Sequence, residues 1–174
     1  MNVPKDYKEF FELLHEEKVK YLIVGAYAVS FHSDPRYTGD IDILIEKSPT
    51  NAKKVFNVVC KFGFANVGIE EEDFLKDDMI IQLGFAPLRI DIITGVDNVV
   101  FQDAWKRRVS ASYGNLSVWY ISKNDLLLSK KSSTRKRDIL DVEMLTKKNR
   151  TKTKLIKENI NKTKNKEPRV KNKK

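Results

Sequence analysis

Three aspartates lie in strand-like runs of the sequence, where carboxylates can do chemistry. Asp40 and Asp42 are two residues apart in GDIDILIE, so a strand would project both side chains from one face, with Cα atoms ~6.5–7 Å apart. Asp91 interrupts the apolar run LRIDIITG, where an acidic side chain is costly unless it is paired or ligated. Mg²⁺ binds one or two carboxylates together with substrate phosphates. The three carboxylates therefore predict a site for two Mg²⁺ ions, or for Mn²⁺, that supports in-line displacement at phosphorus.

Simpler interpretations of these residues stay open at this point. An Asp-x-Asp pair also suits an edge strand with a solvated polar face, and Asp91 can form an ion pair with Arg89, two residues earlier on the same face. Gly25 and Ala26 follow an apolar run and precede a short helix. The N–H groups of a helix N-terminus bind phosphate, although any strand–helix turn can use a glycine.

A mixed set of elements must position these residues. The patterns predict helices over residues 4–17, 26–33 and 49 to about 62, then FQDAWKRR, SKNDLLLSKKSS and RKRDILDVEMLTKK, the last with Ile139, Val142 and Leu145 facing a core. Strands are predicted at KYLIVG, GDIDILIE, MIIQLGF and LRIDIITG, and a hairpin at SASYGNLSVWYIS turns at Gly114-Asn115. Because the later strands are close enough in sequence to pair antiparallel, we predict an α+β fold with a mixed sheet flanked by helices.

The net charge of +9 is unevenly distributed along the 174 residues. Residues 146–174 contain 13 Lys/Arg and 2 Asp/Glu, a net charge of +11, which leaves −2 for the rest of the chain. We predict one domain over residues 1–148 and a flexible basic tail over 149–174, which has too few apolar residues to fold alone. Such a tail suits RNA, because counterion release from phosphates drives binding. A solvated extension with no partner is an equal alternative.

Composition excludes several classes of site. The single cysteine, Cys60, rules out an intramolecular disulfide or a Cys-cluster zinc site, and His15 and His32 are too few for a His-rich metal site. Any metal must therefore be held by carboxylates. No apolar run reaches the ~18 residues of a membrane span, and the N-terminus lacks the build of a signal peptide. We expect a cytoplasmic protein without a membrane partner.

The order of strand, Gly25, small residue, helix, Asp-x-Asp strand, helix and Asp strand resembles the nucleotidyltransferase superfamily of the DNA polymerase beta type. A closer resemblance is to small bacterial nucleotidyltransferases related to the AbiEii-type toxins of type IV toxin–antitoxin systems. It covers about residues 20–146, in VGAYAVSFHSDPRYTGDIDILIE, IIQLGFAPLRIDIITGVDNVVFQDAW, the hairpin and DLLLSKKSSTRKRDILDVEML. Ala26 departs from the Gly or Ser of many members, so a hydroxyl contact to phosphate is absent there.

The resemblance implies Mg²⁺-dependent transfer of a nucleoside monophosphate from an NTP to a hydroxyl of RNA, tRNA, a protein or a small molecule, with an antitoxin protein as a partner. It makes Asp40, Asp42 and Asp91 the catalytic and metal-binding residues. It implies that the nucleotide is bound by Gly25, Ala26, Arg36, Thr38, Lys130, Arg135, Asp138 and Asp141.

Purely structural ion pairs are the alternative for the charged members of this set: Arg36 with Asp34, and Lys130 or Arg135 with Asp138 or Asp141. At the level of the whole protein, the alternatives are a non-catalytic nucleic-acid-binding protein and an antitoxin-like partner-binding protein on the same fold. The three carboxylates favour the enzyme over a nucleic-acid binder, because a protein that only binds polyanions gains nothing from an acidic cluster.

Overall fold

The computed structural model describes residues 4–147, so the predicted tail over 149–174 lies outside the described residues. The strands are β1 (Tyr21–Ile23), β2 (Asp40–Ile45), β3 (Ile80–Leu83), β4 (Arg89–Ile93), β5 (Val109–Tyr113) and β6 (Leu116–Tyr120). The α-helices are α1 (Lys5–Glu16), α2 (Gly25–His32), α3 (Pro49–Val59), α4 (Phe101–Lys106), α5 (Lys123–Lys131) and α6 (136–147). The strands form one mixed sheet in the order β3-β4-β2-β1-β6-β5, which confirms the predicted α+β fold.

β2 lies in the interior of this sheet, antiparallel to β1 and parallel to β4. Its alternation follows the two-residue period of a strand: Ile41, Ile43 and Ile45 are buried on one face, while the two aspartates share the other. Leu44, on the aspartate face, is buried too, so both faces of the strand are covered towards its C-terminal end. The edge-strand interpretation of the Asp-x-Asp pair is therefore wrong.

The helices begin and end where local chemistry dictates. In α1, Tyr7, Phe10, Phe11 and Leu14 recur at helical spacing, and all four are buried in the core. Ser48 caps α3 by accepting a hydrogen bond from the Asn51 N–H. Beyond Val59 the chain widens into a π-helical turn at Cys60–Phe64, and a 3₁₀ helix follows at Glu71–Leu75. The predicted helix from Pro49 to about residue 62 therefore ends as an α-helix at Val59.

The last two helices carry charge into the structure. Ser122 caps α5 by accepting from the Asp125 N–H, as its position predicts. In α6 the inward face is formed by Asp141 and Leu145, both fully buried, whereas Ile139 is 51% exposed. The prediction that Ile139 faces a core is wrong. The ion pairs of Asp141 orient the helix instead. Because Ile139 is two residues before Asp141, it lies on nearly the opposite side of the helix.

The remaining connections agree with the sequence patterns. The β5–β6 hairpin pairs Tyr113 with Leu116, so its two-residue loop is Gly114-Asn115. β3 and β4 pair antiparallel through a turn at Ala86-Pro87. Among residues 4–147 the structure contains no helix with the length and apolar character that crossing a bilayer requires.

Candidate active site

The three aspartates meet on one face of the sheet. In the parallel ladder of β2 and β4, Asp42 is the register partner of Asp91, and Asp40 is the register partner of Arg89. Adjacent strands lie ~4.8 Å apart, so in-register side chains of β2 and β4 are neighbours on a common face. Asp91 is only 6% exposed. The pairing of β2 with β4 therefore places all three aspartates on one face of the sheet.

Arg89 cross-links two of these carboxylates. Its Nε donates to Asp91 Oδ1 at 2.7 Å and its Nη2 donates to Asp91 Oδ2 at 2.8 Å, which is a two-pronged grip on one carboxylate. The same Nη2 donates to Asp40 Oδ2 at 2.7 Å. The predicted alternative of an Arg89–Asp91 ion pair is thus real, and it coexists with the convergence of the aspartates.

Asp42 lies against the turn at the start of α2. Gly25 has φ +57°, and a Cβ built on it would lie 1.8 Å from Asp42 Oδ2. The Ala26 N–H donates to the Asp42 carboxylate. Only glycine fits at position 25, because the turn needs a left-handed backbone and the carboxylate fills the side-chain space. The small residues at this turn therefore admit the Asp42 carboxylate, in addition to the phosphate role predicted for them.

Burial raises the pKa of Asp42 to about 6, with further contributions from the negative charges of Asp40 and Asp91. The positive charge of Lys130 and the Ala26 N–H act in the opposite direction. Because an opposite charge nearby favours the ionised form of a carboxyl group, a cation bound beside Asp42 would lower this pKa.

A second charge cluster links α5, α6 and the segment before β2. Lys130 Nζ donates to Asp138 Oδ1 at 2.6 Å and lies 2.7 Å from Asp141 Oδ2. Arg36 Nη1 lies 3.1 Å from Asp141 Oδ1. Both contacts of Asp141 are ion pairs without aligned hydrogen bonds, since its buried oxygens have no hydrogen-bond partner within the described chain. The predicted charge pairing of Lys130 is present, and Arg36 pairs with Asp141.

Asp138 and Arg135 occupy the outer part of this cluster. Burial alone would raise the pKa of Asp138, but hydrogen bonds from Lys130 and Ser133 outweigh it and hold the pKa below its usual value. Arg135 Nε lies 3.3 Å from Asp138 Oδ2, and the Arg135 side chain is 83% exposed. Of the residues predicted to bind nucleotide, Arg135 is thus placed at the solvent side, while Lys130 is mostly buried and its positive charge acts to lower the pKa of Asp42.

Thr38 orients Asp40. Its Oγ1 donates to Asp40 Oδ1 at 2.6 Å, while Asp40 Oδ2 is held by Arg89. Both oxygens of this carboxylate are therefore engaged, and its direction is fixed from two sides. The predicted nucleotide contact of Thr38 stays a prediction, and the contact that the structure gives it is with the catalytic candidate Asp40.

The ligand types fit Mg²⁺. Three carboxylates on one face of two paired strands offer the hard oxygen ligands that this ion binds. Burial, with a smaller contribution from Asp40 and Asp91, raises the pKa of Asp42, and a cation bound beside it would favour its ionised form. In the rotamers present, however, no group of three or more His, Cys, Asp or Glu side chains in residues 4–147 is arranged to hold an ion. Asp40 and Asp91 close around the Arg89 guanidinium instead.

Several side chains near the three aspartates were not predicted from the sequence. Gln82 of β3 lies in register with Asp91, and its Nε2 is 3.4 Å from Asp91 Oδ2. The Tyr7 hydroxyl donates to the Arg89 carbonyl oxygen. Burial and the nearby Asp40 raise the pKa of Tyr27. The two-residue period of MIIQLGF could have placed Gln82 on the aspartate face, whereas nothing local in α1 marks Tyr7 as a neighbour of β4.

A family model described as "Nucleotidyltransferase of unknown function (DUF6036)" matches residues 3–174, and so includes the basic tail. A search of curated proteins gave no match.

Two solved structures are similar to this chain at low sequence identity. The lincosamide antibiotic adenylyltransferase LnuA, solved with lincomycin bound, is 18% identical with a TM-score of 0.50, over 84% of this chain and 98% of that one. An antigenic nucleotidyltransferase-like protein from Paracoccidioides brasiliensis is 18% identical with a TM-score of 0.49, over 80% of this chain and 74% of that one. With the family model spanning nearly the whole sequence, the chain belongs to the DUF6036 family of nucleotidyltransferases.

Proposed function

We propose that the protein transfers a nucleoside monophosphate from an NTP to an acceptor hydroxyl, with Asp40, Asp42 and Asp91 as the catalytic carboxylates. The observation that carries this proposal is the register of β2 and β4, which sets Asp42 beside Asp91 on one face of the sheet, next to the Gly25 turn. Membership of a nucleotidyltransferase family supports the reaction class.

The residues of the chain have separable tasks in this reaction. Asp91 aligns the acceptor hydroxyl and accepts its proton, so that the oxygen attacks the α-phosphorus, the bond to the bridging oxygen of the β-phosphate breaks, and pyrophosphate leaves. Asp40 and Asp42 would hold Mg²⁺, two ions in the full site, with Mn²⁺ as a substitute. The bound metal supplies positive charge to the phosphate oxygens as the new bond forms.

The basic residues near the carboxylates suit the triphosphate. Lys130 is the inward-facing cation whose charge reaches Asp42, and Arg36 lies in the same cluster through Asp141. Arg135 is exposed and adds positive charge at the rim. We assign Lys130 and Arg36 to the phosphates, with Asp138 and Asp141 holding their side chains in place.

For the acceptor we favour RNA, including tRNA, because the sequence carries a net charge of +11 over residues 146–174. A protein hydroxyl or a small molecule is the alternative; the lincosamide adenylyltransferase that shares this fold, by its description, acts on an antibiotic. The resemblance to AbiEii-type toxins supports a further proposal, that the transfer is a toxin activity controlled by an antitoxin protein.

Radiolabelled NTPs test the reaction directly. The protein is incubated with Mg²⁺ and α-³²P-labelled or γ-³²P-labelled NTPs in the presence of total RNA, cell lysate or hydroxylated small molecules. Nucleotidyl transfer puts only the α-label on an acceptor, whereas a kinase would transfer the γ-label.

Asp42→Asn and Asp91→Asn should abolish the α-label, and the control Asp103→Asn should not, since Asp103 lies on α4 and pairs with Lys106. Equal labelling by the wild type and Asp42→Asn would overturn the assignment of Asp42 as a catalytic residue. Absence of α-label with the wild type would overturn the proposal and favour a non-catalytic binding protein.

A further inference from the structure

The Arg89 guanidinium lies on the oxygens that a metal ion would need. One nitrogen, Nη2, donates to both Asp40 Oδ2 and Asp91 Oδ2, at 2.7 and 2.8 Å. Nε takes the other oxygen of Asp91, at 2.7 Å. A metal ion cannot bridge Asp40 and Asp91 through these oxygens while the positively charged guanidinium lies between them. The two cations would repel each other and compete for the same lone pairs.

Charge explains why such an occupant is needed. Asp40, Asp42 and Asp91 carry three negative charges when ionised, on adjacent positions of two paired strands, and Asp91 is nearly fully buried. Buried like charges at this spacing are costly without a counter-ion. Arg89 supplies one positive charge from a position fixed by the same ladder, since it is the register partner of Asp40.

We infer that Arg89 is the resident counter-ion of the metal site, holding Asp40 and Asp91 in the metal-free protein and moving aside when a divalent cation binds. This inference rests on the metal-dependent function proposed above. The side chain is 29% exposed, so its guanidinium has solvent on one side into which it can turn. Arg89 is thus a positioning residue, which keeps the two carboxylates directed towards the site before the ion arrives.

The test measures metal affinity without nucleotide. Mn²⁺ is titrated into the protein and free Mn²⁺ is followed by electron paramagnetic resonance, for the wild type, Arg89→Met and Arg89→Lys. Arg107→Met is the matched control, because Arg107 grips the buried Asp125 in the same two-pronged manner through Nε and Nη2 but does not pair with the strand carboxylates.

Arg89→Met should bind Mn²⁺ at least about tenfold more tightly than the wild type, because the competing positive charge is gone. Arg89→Lys should fall between the two, since an ammonium is a point charge that cannot grip Asp91 and reach Asp40 at once. Arg107→Met should bind as the wild type does. Without metal, Arg89→Met should melt at a lower temperature than the wild type, and saturating Mg²⁺ should remove most of that difference.

A direct readout exists in the wild type. The Arg89 Nε–H resonance, identified by its absence from the spectrum of Arg89→Lys, should exchange slowly without metal and faster with saturating Mg²⁺. Unchanged exchange would overturn the displacement of the guanidinium.

The remaining outcomes separate this inference from the proposed function. Wild-type transfer activity together with no gain in Mn²⁺ affinity in Arg89→Met would overturn the inference alone. If Arg89→Met does not fold, Arg89→Lys decides: affinity no higher than that of the wild type counts against the inference. Absence of both Mn²⁺ binding and transfer in the wild type would overturn the inference and the proposed function together.

Discussion

Burial and neighbouring charge together set the ionisation of Asp42. Burial, with a smaller contribution from Asp40 and Asp91, raises the pKa of Asp42 to about 6. An unfolded chain would give the same side chain a pKa near 4. The folded protein therefore holds the Asp42 proton more tightly than the unfolded chain does, and ionisation of this group opposes folding.

We expect Asp42→Asn to stabilise the metal-free protein in a pH-dependent way. Below pH ~4 the wild-type carboxyl is protonated in both states, so the variants should be equally stable. As pH rises through 6 the wild type loses this contribution, and Asp42→Asn should be more stable by about 1–3 kcal/mol at pH 8. Urea denaturation with EDTA at pH 4, 6 and 8 measures the difference. A wild type that is more stable than Asp42→Asn at pH 8 would show that the charge is already compensated.

Lys130 and Lys131 are neighbours with different surroundings, which makes them a matched pair. Lys130 is mostly buried between Asp138 and Asp141, whereas Lys131 is exposed. Lys130→Ala should weaken NTP binding by tenfold or more, because it removes an inward-facing cation, and Lys131→Ala should change it less than twofold. Isothermal titration calorimetry with NTP and Mg²⁺ measures the NTP affinity of each variant.

Lys130→Ala also leaves a buried Asp141 short of a counter-ion, so its folding is checked by thermal denaturation and the titration is done well below its melting temperature. Similar losses in both variants would mean that general positive charge, rather than a specific contact, holds the nucleotide.

At the scale of elements, the turn from β1 into α2 is built around one contact. Gly25 combines a positive φ with the Asp42 carboxylate in the place of a Cβ. Gly25→Ala should therefore destabilise the protein by about 2–4 kcal/mol, from backbone strain and from displacement of Asp42. Gly63→Ala separates the two causes, because Gly63 also has a positive φ, +101°, but open space around it, and should cost only about 1–2 kcal/mol.

A double-mutant cycle with Asp42→Ala decides whether the contact is responsible. In the Asp42→Ala background, Gly25→Ala should cost clearly less than in the wild type, because the carboxylate is gone and only the Cβ of residue 42, at 3.0 Å, remains near the new methyl group. If the cost of Gly25→Ala is the same in both backgrounds, backbone strain accounts for all of it.

The strands and helices of the structure agree with the sequence patterns where local spacing determines them, and differ where distant contacts do. The period of a strand was enough to predict that Asp40 and Asp42 share a face, and the helices predicted to begin at Pro49 and in SKNDLLLSKKSS do begin there. The Arg89–Asp91 pair was predictable from their spacing, but the hydrogen bond from Arg89 to Asp40 was not, because it depends on a parallel register between strands separated by α3 and β3. The inward face of α6 was predicted from apolar spacing, but pairing of Asp141 with Lys130 and Arg36 determines it.

At the scale of the whole molecule, the basic segment 149–174 distinguishes the possible acceptors. Deleting it should leave NTP affinity unchanged, since every proposed ligand lies before residue 149, and should leave the melting temperature unchanged, since the segment has few apolar residues. If RNA is the acceptor, RNA affinity should fall and its salt dependence should flatten by a slope of roughly 0.7 per lost phosphate contact.

RNA titrations of the full-length and truncated proteins at two salt concentrations measure both quantities. Identical affinities and slopes would favour a small-molecule or protein acceptor. A lower melting temperature would show that the segment packs on the domain, in keeping with a family model that continues through it.

The hydrogen bond between Arg89 and Asp40 joins residues 49 positions apart, and that between Tyr7 and Arg89 joins residues 82 apart. Helix α6 then brings Asp141 to Arg36 from the far end of the described chain. Contacts of such long sequence separation form slowly during folding, because the loop-closure entropy must be lost before they form. During synthesis, therefore, Arg36 and Lys130 cannot pair with Asp141 until α6 has left the ribosome, so this charge cluster is completed last.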